Sequence, residues 1–571
     1  MNWQLIDSLK QRLASETGVQ YSAPGAKTGF ALIFPNEYHL GMSNLGFQII
    51  YREINSRSDT ACERCFLPSQ TERQEYLRSA TPLMTVENQR PINEFSLIGF
   101  AVSFEMDYFN IPDILQMGRV PVCCVDRDET APIVIAGGPC ATFNPEPLVP
   151  FIDVFVIGEG EEVIHELLDI YHAAAETRLS RQQVLQQLAD TPGLYVPKYH
   201  AESKQIKRRR IDQLDRFSGE TAIIASGTEF DSLYLIEVAR GCGRHCRFCM
   251  AGYCFRPPRS RSLASIRQGI DNARGQQRKI GLVGAAVSDF PDMELLCTML
   301  SDTQTTTSVA SLRADSTTEE LVQLLADSGH RTITLAPEAG SERLRRVINK
   351  GITEEDLFRT IEMSLKAGIP NVKLYIMIGL PTEQDCDIDA ICDLAVRIAD
   401  QMATYGRSGT LTLSVNPFVP KPFTPFQWLP MADQTVVASR LRVLEKSLKG
   451  HKKIRVQSES LREAYLQGTL ARGDRQLGQA IVQAHLLGGR KSWKQALKLC
   501  EIDETTYLYR ERLRDEVFPW GRIDVGVSRE YLWLELQRAM QETATPVCFD
   551  GCMRCGVCGK EGGSNAANGN N

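Results

Sequence analysis

Leu233-Tyr234-Leu235-Ile236-Glu237-Val238-Ala239-Arg240-Gly241-Cys242-Gly243-Arg244-His245-Cys246-Arg247-Phe248-Cys249 decides the fold. A strand-like run over 232–238 leads into three cysteines spaced CxxxCxxC. Three thiolates on one short loop can hold three irons of a [4Fe-4S] cluster, which leaves the fourth iron open to an external ligand. A closed set of four ligands stores structure or electrons, whereas three leave a position for chemistry. The competing reading is a zinc site completed by Cys254 or His245, although zinc ligands usually come as paired CxxC or Cys/His spacings.

Downstream, strand-like segments at 233–238, 279–286, 308–313, 332–336, 371–378 and 410–416 alternate with amphipathic stretches at 263–275, 318–328, 353–367 and 384–404. Such alternation implies parallel strands joined by helical crossovers. Together with the aromatic Phe248 just before the third cysteine, this region resembles the radical S-adenosylmethionine (radical SAM) enzymes. The resemblance implies a partial (β/α)6 TIM barrel over 232–430, with its chemistry at the carboxyl ends of the strands. It further implies S-adenosylmethionine on the open iron and an electron donor of flavodoxin or ferredoxin type. Reductive cleavage then gives methionine and a 5′-deoxyadenosyl radical.

Ala336-Pro337-Glu338-Ala339-Gly340-Ser341, followed by Asn349-Lys350-Gly351, is similar to a fourth-strand motif of the radical SAM branch that holds methylthiotransferases and cobalamin-binding members. That similarity makes Glu338 and Ser341 candidates for contact with S-adenosylmethionine, and Ser341 also reads as the cap of the helix that follows. Many members end the second strand in Gly-Gly-Glu, whereas this chain has Gly284-Ala285-Ala286-Val287-Ser288-Asp289. Ser288 or Asp289 is left to replace that glutamate. Arg313, after the third strand, is a candidate for the cofactor carboxylate, with a surface ion pair as the other reading.

Residues 1–175 carry apolar runs at 30–34, 97–104, 120–125, 132–136 and 154–157. With Asn44, the pair Gly137-Gly138, and Gly158-Glu159-Gly160, they resemble the doubly wound, Rossmann-like cobalamin-binding-type domain found ahead of the barrel in a large radical SAM subgroup. Glycines after strands let backbone amides approach a ligand, so Asn44, Gly137, Gly138, Gly158 and Gly160 are the candidate cobalamin contacts. The DxHxxG motif that supplies a histidine to cobalt is absent, and Glu37-Tyr38-His39-Leu40-Gly41 only comes close. Two readings stay open: cobalamin bound without a histidine ligand, or a domain that positions substrate and binds no corrin.

The remaining segments are read from composition. A linker at 176–231 holds an expected small β hairpin with flanks at 193–197 and 204–210, and its Lys207-Arg208-Arg209-Arg210 reads as a solvated basic turn. A mainly helical region at 431–545 follows, with 14 Lys+Arg against 4 Asp+Glu between positions 440 and 500. Such an excess suits RNA phosphates, and it equally suits plain solvated helices. Within 546–571, Cys548, Cys552, Cys555 and Cys558 offer four thiolates to an auxiliary [4Fe-4S] cluster or a structural zinc, ahead of a Gly/Ser/Asn tail.

At 571 residues and 43% hydrophobic content the chain supports three to four domains with sizeable cores. No run approaches a membrane span, and no basic segment followed by an apolar stretch opens the chain, so cytoplasm is the expected compartment. Seventeen cysteines then argue for metal or catalysis over disulfides, with those outside the two groups, such as Cys123 and Cys124, read as small buried hydrophobes. The resemblance implies a radical SAM enzyme on an unknown substrate, with methylation if cobalamin is bound. Methylthiolation or sulfur insertion on RNA or protein is the second reading, and a non-catalytic iron-sulfur or corrinoid-binding protein the third.

Overall fold

Apolar, β-branched runs closed by polar turns become the strands of a first sheet. The computed structural model describes residues 2–20, 25, 27–201, 203–229, 233–276, 278–303, 305–406, 409–549 and 551–558. Strands β1 (Thr28–Phe34), β2 (Thr60–Phe66), β3 (Leu97–Ala101), β4 (Ile133–Gly137), β5 (Val154–Val156) and β6 (Leu194–Tyr195) lie in the order β2-β1-β3-β4-β5-β6. The first five pair in parallel and β6 runs antiparallel to β5. The chain order reverses between β1 and β3, and open α/β sheets bind ligands in the crevice such a reversal leaves at the carboxyl ends.

Two expectations change here. Strand β2 is absent from the apolar pattern because it carries Glu63 and Arg64, both buried. Arg64 is matched by Glu16 and Glu87, each at 2.6 Å, which is what lets a charge sit inside a sheet. The segment 120–125 forms no strand; it runs into a turn at Cys124–Asp126, with Val125 on the surface and Cys123 and Cys124 only half-buried.

The linker hairpin is also corrected. Strand β7 (Ile206–Lys207) does not fold back on β6 but pairs in parallel with β17 (Ile523–Asp524), more than three hundred residues on. Nor is the basic run solvated beyond Lys207, which is exposed. Arg208 is buried and donates to the Arg256 carbonyl at 2.7 Å, Arg209 pairs with Glu166, and Arg210 pairs with Asp212 at 2.7 Å.

A second set of strands begins at β8 (Leu233–Glu237); Ser232, the expected first residue of this strand, lies outside the described residues. Two short antiparallel pieces, β9 (Ala239–Arg240) and β10 (Arg259–Ser260), then bracket the cysteine loop. Strands β11 (Lys279–Val283) and β12 (Thr307–Val309) join β8 in a three-stranded parallel sheet. Strands β13 (Thr332–Glu338), β14 (Asn371–Ile378), β15 (Leu411–Pro417) and β16 (Ile454–Ser458) form a four-stranded one. A parallel bridge from Leu312 to Leu335 links the two. Among the described residues the run thus has seven parallel strands where the sequence suggests six, because β16, with its Arg455 and Gln457 exposed, lacks a two-sided apolar pattern.

The crossover helices form where their periodicity predicts, at Leu263–Gly275, Glu319–Asp327, Glu354–Ala367 and Asp385–Thr404, the middle two capped by Thr318 and Thr353. Their apolar faces and the seven strands share one core. Helices Leu461–Ala471, Arg475–Leu486 and Arg529–Met540 instead pack into the core of the first sheet. Asn144 pins this junction by donating to the carbonyls of Ala471 (3.1 Å) and Gly473 (2.7 Å), and Glu146 pairs with Arg475. The turn at 471–475 is therefore internal, with Arg472 buried. Among the described residues no helix is long and apolar enough to cross a membrane. The Gly/Ser/Asn tail from position 559 onward lies outside the described residues.

Candidate functional site

The cysteine loop is held from beneath by a buried arginine. Arg247 pairs with Glu535 at 3.1 Å, both side chains having no exposed surface, and donates to the carbonyls of Val347 (2.9 Å) and Thr543 (2.7 Å). Asn349 adds bonds to the His245 and Thr545 carbonyls at 3.1 and 3.0 Å. Cys246 is buried, and Cys242 and Cys249 are half-buried. Burial, then the neighbouring Cys246, pushes the Cys249 thiol up to about 11. The free Cys249 thiol stays protonated, and a bound metal deprotonates such a thiol outright. Backbone and guanidinium donors already face the sulfurs: Arg244 N–H stands 3.4 Å from Cys242 Sγ and Arg313 Nη1 3.8 Å from Cys246 Sγ. This donor set suits thiolates that spread a cluster's negative charge.

The two residues weighed as a fourth zinc ligand point elsewhere. Cys254 is packed in the first core. His245 meets the Tyr531 hydroxyl at 2.5 Å and Arg256 Nη2 at 3.0 Å; burial, then the Arg256 charge, holds its pKa down to about 3.

On the barrel side, a bulge re-aims the end of β13. The register with β14 slips between Leu335 and Glu338, and Glu338 takes φ +66, a conformation costly for a residue with a Cβ. Its carboxylate accepts from Lys350 Nζ at 3.3 Å, and burial raises its pKa against the pull of that lysine. Lys350 also stands over the Phe248 ring at 5.7 Å, and its carbonyl accepts from Arg313 at 2.7 Å. Arg313 is therefore no surface ion pair; it is buried between Asp315, Lys350 and Cys246. Glu338, Phe248, Arg313 and Lys350 come together beside the loop, and Lys350 was assigned no role from sequence although it sits inside the quoted motif.

Ser341 and Ser288 are less available. Ser341 Oγ caps the helix Glu342–Val347, accepting from Leu344 N–H at 3.2 Å, and donates to Asp387 at 2.6 Å. Ser288 is buried, accepting from Arg313 N–H and from Ser316. Asp289 is occupied by Arg244 at 2.7 Å.

A cavity of about 410 Å³ lies where the carboxyl ends of the first sheet meet the loops after β8 and β11. Asn44, Gly137, Gly138, Gly158 and Gly160 all line it, so every residue proposed for a corrin converges there. Facing them are Arg240 and Gly241, just ahead of Cys242, then Ala251 and Phe255 just after Cys249, and Gly284 and Ala285 in the position of the missing Gly-Gly-Glu. Gly138 (φ +98) and Gly158 (φ +105) need their glycines: a Cβ would stand 2.8 Å from the Val102 carbonyl and 2.3 Å from the Arg209 carbonyl. Asn44 caps the helix Leu45–Asn55 through Phe47 N–H at 2.9 Å. His39 does not line the cavity; it is paired with Glu37 and Glu229 at 3.8 and 3.6 Å.

Charge pairs tie the two walls together. Arg240 bonds Glu237 (2.8 Å) from its own wall and Glu161 (2.8 Å) and Glu159 (3.3 Å) from the other, while Arg259 bonds Glu159 at 2.7 Å. Burial opposes ionisation of Glu159, yet the Arg259 hydrogen bond and the Arg240 charge hold its carboxyl below the ordinary value. Nothing in the sequence marks Arg240, because a single arginine before a motif carries no spacing signal.

The C-terminal cysteines reach the same loop from another side: Cys548 N–H donates to the Gly243 carbonyl at 2.9 Å. Among the described residues no three His, Cys, Asp or Glu side chains converge as ligands of one ion do. A cubane cluster puts each thiolate on a different iron and does not ask that of them.

Residues 236–395 match the radical SAM superfamily, and residues 46–197 match the family described as radical SAM proteins, N-terminal. The chain belongs to the radical SAM superfamily, whose enzymes use a [4Fe-4S] cluster and S-adenosylmethionine and need an electron donor. In particular, it is 31% identical over 461 residues to the uncharacterised protein MJ0966 of Methanocaldococcus jannaschii, covering 79% of this chain and 90% of that one. A tRNA-2-methylthio-N(6)-dimethylallyladenosine synthase of Alkaliphilus oremlandii is 25% identical over 246 residues; the match covers 40% of this chain and about half (51%) of that protein. Among solved structures, the radical S-adenosylmethionine methyltransferase TsrM of Kitasatospora setae, with cobalamin and a [4Fe-4S] cluster bound, aligns over 68% of this chain and 72% of that one, at 15% identity and a TM-score of 0.47.

Proposed function

We propose that Cys242, Cys246 and Cys249 hold the [4Fe-4S] cluster on three irons, and that the chain is a cobalamin-dependent radical SAM methyltransferase. The observation that carries this reading is the shared cavity: glycine-rich turns of the six-stranded sheet form one wall and the residues flanking the cysteine loop form the other. The reduced cluster supplies the electron that splits S-adenosylmethionine, and a corrinoid supplies a methyl carrier.

The chain's own residues bind, orient and exclude water. Arg313 and Lys350, with Glu338, form a charged cluster beside the loop whose groups suit the amino and carboxylate groups of a methionine moiety. Gly137, Gly138, Gly158 and Gly160 let a flat ligand approach the backbone, and the predominantly apolar cavity keeps water from it. Among the described residues no histidine lines the cavity, so a corrinoid there would take no imidazole from them. At about 410 Å³ the space suits one drug-sized group, so the periphery of a corrin lies outside it or widens it. The six-stranded sheet would then be a cobalamin-type domain, and the seven-stranded run after it an open barrel.

Anaerobic reconstitution with iron, sulfide and hydroxocobalamin tests it. Expected are stoichiometric cobalt and, with a low-potential reductant, S-adenosylmethionine consumption that Cys246→Ala abolishes. Iron uptake without cobalt retention would overturn the corrinoid part and leave the cluster reading standing.

A further inference from the structure

The two cysteine groups are in contact. Besides the Cys548 bond to Gly243, a Cβ placed on Gly243 would meet the Cys548 Cβ at 3.4 Å. One guanidinium touches both groups: Arg256 Nη1 lies 3.8 Å from the sulfurs of Cys548 and Cys555, and Nη2 donates at 2.8 Å to the Arg244 carbonyl, between Cys242 and Cys246. The Cys555 carbonyl accepts from Ser528 N–H at 2.9 Å, and Asn349 Oδ1 accepts from Thr545 N–H at 2.7 Å, so the segment is fastened before and within its cysteines. Cys558 is exposed, whereas none of the loop thiols is. In the same segment the apolar Val547, Phe549 and Met553 side chains are 49%, 66% and 71% exposed.

We propose that Cys548, Cys552, Cys555 and Cys558 hold a second [4Fe-4S] cluster that relays single electrons from an external flavodoxin- or ferredoxin-type donor to the cluster on Cys242, Cys246 and Cys249. The proposal rests on the reading of that first site. Four ligands close a cluster to substrates and leave it electron transfer alone, while three leave the first cluster its open iron. In the relay the donor loses one electron, the outer cluster gains and gives it up, and the inner cluster is reduced by one; no bond forms or breaks. Arg256, between the two groups, favours the more negative, reduced state of each. The exposed Val547, Phe549 and Met553 side chains give the donor a place to dock beside the outer cluster. Zinc on the same cysteines is redox-inert and carries no electron.

The test uses the full chain, reconstituted anaerobically, beside a Cys552→Ser/Cys555→Ser double variant and Cys246→Ala. Expected are about eight irons per wild-type chain and about four in each variant. The fully reduced wild type gives an electron paramagnetic resonance spectrum broadened by coupling between two spins, and each variant a single uncoupled signal. Reduced flavodoxin reduces the inner cluster of the double variant at least about tenfold more slowly than in the wild type, while dithionite, which needs no docking surface, reduces it at close to the wild-type rate. Zinc at the tail, an uncoupled wild-type spectrum, or an unchanged flavodoxin rate in the double variant each overturns the relay. The wild-type spectrum decides the matter if the double variant fails to fold. Coupled spins without S-adenosylmethionine cleavage would leave the relay intact and sink the proposed function instead.

Discussion

Arg247 is the residue on which the cysteine loop rests. It is wholly buried, its charge is met by Glu535, and its remaining donors are met by carbonyls from two other segments. Removing one partner of a buried pair leaves the other charge uncompensated. Arg247→Ala is therefore expected to lower stability by about 3–5 kcal/mol, read as a fall in the urea midpoint of the apo chain. Asp107 makes a second prediction. Burial pushes its carboxyl up to about 7, although Asn36 Nδ2 donates to it at 2.7 Å. A carboxyl whose pKa is raised on folding binds more protons folded than unfolded between the two pKa values, so its contribution is present at low pH and lost as pH rises through about 7. Asp107→Asn should remove that loss: its melting temperature, measured from pH 5 to 8, falls less steeply than the wild type's.

Turns at strand ends decide what the cavity can take. Gly137 and Gly158 both line it, but they fail differently when given a side chain. Gly158→Ala forces a Cβ to 2.3 Å from the Arg209 carbonyl at φ +105, so a stability loss of at least about 1–3 kcal/mol is expected from urea titration. Gly137 has an ordinary φ, and its added Cβ would meet only the Val156 Cβ at 3.6 Å, a normal contact. Gly137→Ala should fold as the wild type does and bind hydroxocobalamin about tenfold more weakly, measured by equilibrium dialysis. Unchanged binding would place the corrinoid elsewhere. Strand β13 shows the same economy at element scale: its bulge turns Glu338 toward Lys350 and the loop, at the cost of a strained backbone.

Across the molecule, the cavity is walled by the six-stranded sheet and by the loops of the three-stranded sheet, and it is crossed by the Arg240 pairs, so a ligand there binds only the assembled chain. Saturating hydroxocobalamin should raise the melting temperature of the whole chain in a single step, by the equivalent of about 2.7 kcal/mol at one hundred times its dissociation constant. A two-step transition with only one step shifted would show that the sheets do not share the ligand. The sequence by itself determined the cysteine loop, most of the parallel strands and their helices, and the glycines that line the cavity. Spacing and periodicity are local properties, and Cys242, Cys246 and Cys249 or the stretch 353–367 display them without reference to anything distant. Only the tertiary structure decided the rest. Strand β2 hid its place in the sheet because Arg64 is neutralised by Glu16 and Glu87 from other segments. Strand β7 found its partner in β17, Lys350 and Arg313 gained their meaning from Glu338 and Cys246, and Cys548 came to lie on Gly243. Each of these depends on burial and charge pairing between segments far apart in the chain, and a one-dimensional pattern holds no record of which distant residue will supply the compensating charge or hydrogen bond.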